Sequence, residues 1–102
     1  MLNAPTRNEL AALPRLFSTK AIPAGEKVIH MRFFLPGYAW YIVEFNGSDT
    51  FMGFIVMDGD TANAEWAYFT FSELQGINRN GVGIKRDSDW KPTAAKDIGI
   101  GV

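Results

Sequence analysis

The stretch FFLPGYAWYIVEF, residues 33–45, is a run of large apolar side chains broken once, by Pro36-Gly37. A strand with one face in water alternates apolar and polar residues, because successive side chains point to opposite sides of the sheet. This stretch hardly alternates, and neither does FMGFIV at 51–56. A sheet built from such segments needs cover on both faces. That requirement governs the reading of everything else in the chain.

The flanking segments supply the remaining elements. Lys27–Leu35 reads as a first strand whose odd positions, Ile29, Met31, Phe33 and Leu35, are all apolar. Pro36-Gly37 reverses the chain and sets Leu35 opposite Tyr38, the start of a second strand ending at Phe45. Asn46–Asp49 is a turn, since Gly47 tolerates positive φ, and Phe51–Met57 is the third strand. An acidic loop, Asp58–Ala64, leads to a fourth strand, Glu65–Phe71. Ser72 then reads as the cap of a short helix, with Gln75 as its partner and Gly76 as its end.

Upstream, Thr6-Arg7-Asn8-Glu9 has the spacing of a capping box, Leu10 and Leu13 form a short apolar stripe, and Pro14 ends the helix. Leu16 and Phe17 are expected to anchor the chain as it leaves. Downstream, Asn78–Gly81 is a turn, Val82–Arg86 a short edge strand, Ala94–Asp97 a last half-turn and residues 99–102 a frayed end. The result is an α+β fold in a single domain, residues 1–102: a four- to five-stranded antiparallel meander sheet with short helices at the N-terminus and after strand four.

The hairpin registers assign faces. One collects Ile29, Met31, Phe33, Leu35, Trp40, Ile42, Gly53, Ile55 and Met57, with Trp66 and Tyr68. The other collects Val28, His30, Arg32, Phe34, Tyr41, Val43, Met52, Phe54 and Val56, with Phe69 and Phe71. Both are apolar, and the coverings on offer are the two short helices and the segment around Trp90. An apolar surface left open marks an interface. The face bearing His30, Arg32, Phe34, Tyr41, Val43 and Phe54 is therefore the expected protein-interaction face, toward a partner or a second copy. If instead the sheet curls and the tails wrap it, that face is core.

Net charge is −1, but it is unevenly spread. Between Arg32 and Arg79 lie six carboxylates and no Lys or Arg, whereas the two ends hold ten bases against five acids. The simpler expectation is that basic flanks fold back onto an acidic sheet rim; the sharper one is an acidic surface that meets a basic partner.

Several chemistries can be set aside. There is no cysteine, which removes disulfides, thiolate zinc sites and cysteine nucleophiles. His30 is the sole histidine, too few for a multi-His metal centre, and its nearest polar neighbour on the same face is Arg32. Asp58-Gly59-Asp60 begins like a calcium loop, but Ala62, Asn63 and Phe69 stand where the fifth, sixth and twelfth positions need an oxygen ligand, Gly and Glu. A looser ion site on Asp58, Asp60 and Asn63 is weaker than a solvated loop. Gly81-Val82-Gly83 is too short to cradle phosphate. No metal, cofactor or catalytic residue is expected, and no pair of carboxylates stands out as an acid/base couple. A small hydrolase would need a pocket joining His30, Arg32, Tyr41 and Glu44. Arg79, Lys85, Arg86, Trp90 and Lys91 form a modest basic-aromatic group that could contact nucleic acid, diluted by Asp87 and Asp89. The start of the chain lacks a signal peptide's pattern, and no run approaches a membrane span, so a cytoplasmic location is expected.

The segments LPRLFSTKAIPAGEKVIHMRFFLP, WYIVEF, FMGFIV, YFTFSEL and IKRDSDWKP, in that order, resemble the bacterial family filed as domain of unknown function 2958. The likeness spans residues 13–93, with YFTFSEL and RDSDWKP its most specific pieces; Lys20 and Ala39 depart from the pattern. The resemblance implies context rather than chemistry. Such proteins tend to be encoded on plasmids, integrative elements and phages, so a small non-enzymatic accessory protein is the expectation it carries. No catalytic residue transfers with it.

Overall fold

Two-residue reversals and two bulges decide which side chains share a face. The computed structural model describes residues 1–100, Thr61 and Asn63 by their backbone alone. The elements are α1 (Arg7–Ala11), β1 (Val28–Ile29), β2 (Met31–Leu35), β3 (Tyr38–Phe45), β4 (Thr50–Met57) and β5 (Asp60–Thr70). After them come α2 (Phe71–Gly76), β6 (Asn78–Arg79), β7 (Val82–Gly83), β8 (Lys85–Arg86) and β9 (Thr93–Ala94). Short 3-10 turns occupy Ala24–Glu26 and Ala95–Ile98. The central sheet has five antiparallel strands in the order β5-β4-β3-β2-β8, and β1 with β9 and β6 with β7 form two small ladders. The fold is thus α+β and mostly sheet. Among the described residues, no helix is long and apolar enough to cross a membrane.

Leu35 pairs with Tyr38 across Pro36-Gly37, with Gly37 at φ +85°. The loop between β3 and β4 is closed by Asn46, whose side-chain oxygen accepts from the amides of Ser48, Asp49 and Thr50. The third reversal corrects the expected acidic loop. Asp58 and Gly59 both lie at positive φ, 53° and 68°, as a two-residue turn demands, and Met57 pairs directly with Asp60. Asp-Gly is a strong hairpin signal, so β5 starts five residues before the expected strand.

The β4–β5 pairing then slips between Ile55 and Met57, leaving Glu65 opposite Ile55, Trp66 opposite Phe54 and Phe69 opposite Phe51. An odd slip swaps faces. Trp66 and Tyr68 therefore join the Tyr41–Phe54 side and Phe69 the Phe33–Phe51 side, the reverse of expectation. A second irregularity leaves Val43 as an extra residue in β3. The crowding beside it explains Gly53, where a β-carbon would overlap the Tyr41 carbonyl oxygen. The first strand also divides at His30, and Ile29 packs with Val43 instead of Phe33.

Each face is roofed. On the first, Phe33, Trp40, Ile42, Phe45, Phe51 and Phe69 are covered by Leu13, Leu74 and Ile84, with Leu10 and Phe71 at the margin. Phe51 sits at its centre, its ring 4.9 Å from Phe45, 5.8 Å from Phe33, 5.9 Å from Phe71 and 6.0 Å from Phe69. On the second face, Ile29, Val43, Phe54 and Val56 are covered by Ala95 and Ile100, with Trp90 and Ile98 beside them. The expected fray at 99–102 is corrected for its first half. Gly99 adopts the left-handed conformation (φ 74°), Ile100 donates to the Ala95 carbonyl, and the Ile100 side chain is buried. Residues 101 and 102 lie outside the described residues.

Caps follow the same logic. Thr6 and Glu9 form the reciprocal capping box of α1. At α2 the cap is Thr70, whose hydroxyl accepts from the Glu73 amide; Ser72 instead bonds twice to Asp49. Thr70-Phe71-Ser72-Glu73 carries the same box spacing two residues earlier than the one expected from Ser72 and Gln75. Val82–Arg86 is not one strand: Val82–Gly83 closes a hairpin on β6 through Asn80-Gly81, and Lys85–Arg86 forms the sheet's short edge beside β2.

Candidate protein-binding surface

A lone carboxylate in an apolar run organises the most unusual surface of the molecule. Glu44 is 1% exposed. Its two oxygens accept from the Phe17 amide at 2.8 Å, the Thr19 amide at 3.0 Å and the Thr19 hydroxyl. Lys27 completes the arrangement, its ammonium donating to the Thr19 carbonyl at 2.5 Å and hydroxyl at 3.2 Å. A buried carboxylate is tolerated because every donor around it is turned inward. The connector between α1 and β1 is thereby fixed as a series of tight turns, Ser18 to Arg15, Lys20 to Phe17 and Ile22 to Thr19.

The consequence falls on Phe17. Its φ is 70°, in the left-handed region where a bulky side chain is strained by about 1 kcal/mol or more. Its ring is 65% exposed, so the expectation that Phe17 anchors the chain is corrected. Glu44 holds the backbone in a turn that directs the side chain outward. Tyr68, 59% exposed, lies beside it with ring centroids 6.2 Å apart. Lys20, Lys27, Met52 and Trp66 border the same shelf around a hollow of about 260 Å³.

The expected interaction face is divided. Val43 is fully buried and Phe54 nearly so, because the C-terminal segment and Trp66 cover them; they cannot line an open surface. Arg32, Phe34 and Tyr41 do meet: the guanidinium lies 4.6 Å from the Phe34 ring and 5.8 Å from that of Tyr41, and pairs with Asp87 at 3.3 Å. His30 is half-buried, its amide donating to the Ile42 carbonyl, and burial lowers its pKa. Glu44 serves the Phe17–Thr19 turn, whereas Arg32 contacts Tyr41 and pairs with Asp87. Among the described residues no three of His, Asp and Glu are grouped to hold a metal ion.

Part of the basic-aromatic group is engaged within the fold. Arg86 pairs with Glu9 at 2.7 Å; the hydrogen bond from the Thr6 amide, and then this contact, hold the Glu9 carboxyl below its ordinary pKa. Arg79 lies over the Tyr38 ring at 4.6 Å. Trp90 donates its indole N–H to the Ile29 carbonyl and meets Tyr41 edge-on at 5.8 Å. Lys85 and Lys91 remain exposed.

Phe17 and Tyr68 escaped the sequence reading for different reasons. Tyr68 was assigned to the wrong face by the unseen slip, and nothing in Leu16-Phe17-Ser18 announces a left-handed turn. The available signal was Glu44, a carboxylate flanked by Trp40–Val43 and Phe45 that required a buried partner. No family model, curated protein or solved structure matches this chain.

Proposed function

We propose that this chain is a small non-enzymatic interaction domain that binds protein, a second copy of itself included, through the shelf built on Phe17 and Tyr68. The observation that carries this reading is the buried Glu44 carboxylate, which fixes Phe17 in a strained backbone and turns its ring to solvent. A turn under no such demand takes Gly or Asn. Exposed aromatic side chains flanked by a polar rim are the anchors that dominate association energies.

The contact surface therefore moves along this face, from Val43 and Phe54, which supply core, to the shelf on Phe17 and Tyr68. The non-enzymatic reading is supported by the engagement of the Glu44 carboxylate with the Phe17–Thr19 turn and of Arg32 with Asp87. The resemblance to domain of unknown function 2958 supports a cytoplasmic accessory role on a plasmid, integrative element or phage. Nucleic-acid contact has less support, since Arg86 pairs with Glu9 and Trp90 bonds to Ile29, while exposed Arg79 stacks on Tyr38.

The test compares wild type with the Phe17→Asn/Tyr68→Ser double variant in capture from the natural host. The variant is expected to melt with the wild type yet lose the retrieved partners. Retrieval of the same partners by the folded variant would refute the shelf. A gel shift that weakens steeply with salt would favour the nucleic-acid reading instead.

A further inference from the structure

The two edges of the central sheet are unequal. The β8 edge is two residues long, and Leu2 bridges alongside it, donating to Ile84 and accepting from Arg86. The β5 edge is eleven residues long, and among the described residues no strand pairs with its outer side. An open edge presents a row of backbone donors and acceptors to any extended chain. Natural edges are commonly blunted by Lys or Pro, and β5 has neither. The slip near Ile55 disturbs its first half, which leaves Glu65–Thr70 as the regular, pairable stretch.

The side chains flanking this edge select the occupant. On one side a hollow of about 550 Å³ is lined by Ile55, Met57, Asp58, Asp60, Glu65 and Ala67, with Met57 exposed. On the other lie Trp66 and Tyr68. The simpler charge expectation finds limited support in the ion pairs seen among the described residues. The ion pairs Arg32–Asp87, Arg86–Glu9 and Lys96–Glu26 all use acids from outside the acidic middle. Asp58 and Glu65 take part in none of them. A second copy pairing antiparallel through Glu65–Thr70 would set Glu65 opposite Thr70 and leave its charge unmatched, so a basic strand complements this edge better than a second copy does.

We infer that β5 accepts an extended basic peptide as a sixth antiparallel or parallel strand, its Lys or Arg side chains alternating with apolar ones. The basic residues lie along Met57 with their aliphatic stems and reach Glu65 and Asp58 with their charges. The apolar residues rest on Trp66 and Tyr68. This rests on the protein-interaction reading above and names the chemistry of the partner.

The probe is an acetylated, amidated peptide of four Lys-Val repeats, added to the full chain. Amide exchange across residues 65–70 is expected to slow on binding. Affinity should exceed that of the Glu-Val counterpart by about tenfold or more, since opposed charges across a strand pair attract. Methylating alternate backbone nitrogens of the peptide should abolish binding, and Glu65→Lys, at an exposed position, should shift preference toward the acidic peptide. Absence of protection at β5, or equal affinity for the acidic or methylated peptides, would overturn the proposal. Such a failure with the Phe17/Tyr68 dependence of host partners intact would remove the β5 site alone; loss of that dependence with β5 protection intact would remove the shelf alone.

Discussion

On one face of the sheet, Phe51 sits among four aromatic rings beneath two helices and the Ile84 side chain. On the other, Val43 and Phe54 share their layer with a carboxylate, a half-buried histidine and two exposed aromatic rings. The first face is closed mainly by apolar contact, which is non-directional but sensitive to changes of volume, with the Glu9–Arg86 ion pair at its margin. The second is closed by the C-terminal segment at one end and, at the other, by hydrogen bonds that dictate one backbone path. The contrast separates two tasks. Grease on the first face supplies stability; directional bonding on the second fixes a surface.

The comparison predicts unequal responses to substitution. Phe51→Ala removes the ring that all four neighbours touch and leaves a cavity no adjacent strand can close. A loss of about 3–5 kcal/mol is expected in urea or thermal unfolding, enough to unfold a domain of ordinary stability. Retention of near-native stability would show that the second face carries more of the fold than argued.

Glu44→Gln tests the directional device. The amide keeps the side chain's shape but gives up one acceptor, so one NH2 group faces donors of Phe17 or Thr19. A cost of about 2 kcal/mol is expected, with faster exchange at the Phe17 and Thr19 amides while the β3–β4 amides stay protected. Uniform loss of protection across the sheet would mean that Glu44 supports the whole core and not the connector.

A smaller effect is expected from pH. Burial holds the His30 pKa below its ordinary value, so the unfolded chain takes up the proton first on acidification. His30's contribution is intact above the unfolded value of about 6.5 and is lost as pH falls from there through the lower folded value. The melting temperature of wild type should decline between pH 7 and 5 more than that of His30→Gln. Parallel profiles would place His30 in free solvent contact.

Much of this was legible in the sequence because turn chemistry is local. Pro36-Gly37, Gly47 and Asn80-Gly81 marked reversals that the structure contains, and Tyr38–Phe45 has the expected bounds. The Thr6–Glu9 box was equally plain. What failed was parity. Asp58-Gly59 forms a hairpin inside a stretch whose acidic composition suggests a loop, and the slip beyond it exchanges Trp66 and Tyr68 with Phe69, because one odd displacement transfers a whole strand's side chains. The cover on the second face was hidden for another reason: Ala95 and Ile100 are single residues on an irregular tail, without periodicity to announce them. The shelf combined both blind spots.

The smallest stability effect belongs to Phe17, and it bears most directly on the division of tasks. Its ring contributes little burial, and its backbone occupies a conformation that Asn adopts far more readily. Phe17→Asn forfeits part of the contact with Tyr68 and relieves strain of comparable size. The net change should lie within about 0.5 kcal/mol in either direction, as for surface positions in general. Binding of any protein at the shelf should nevertheless fall by tenfold or more, because an aromatic anchor is removed, with about 1.4 kcal/mol for each factor of ten. A loss of stability of about 2 kcal/mol would instead assign Phe17 to the core of the connector, and the second face would then be a packing layer like the first.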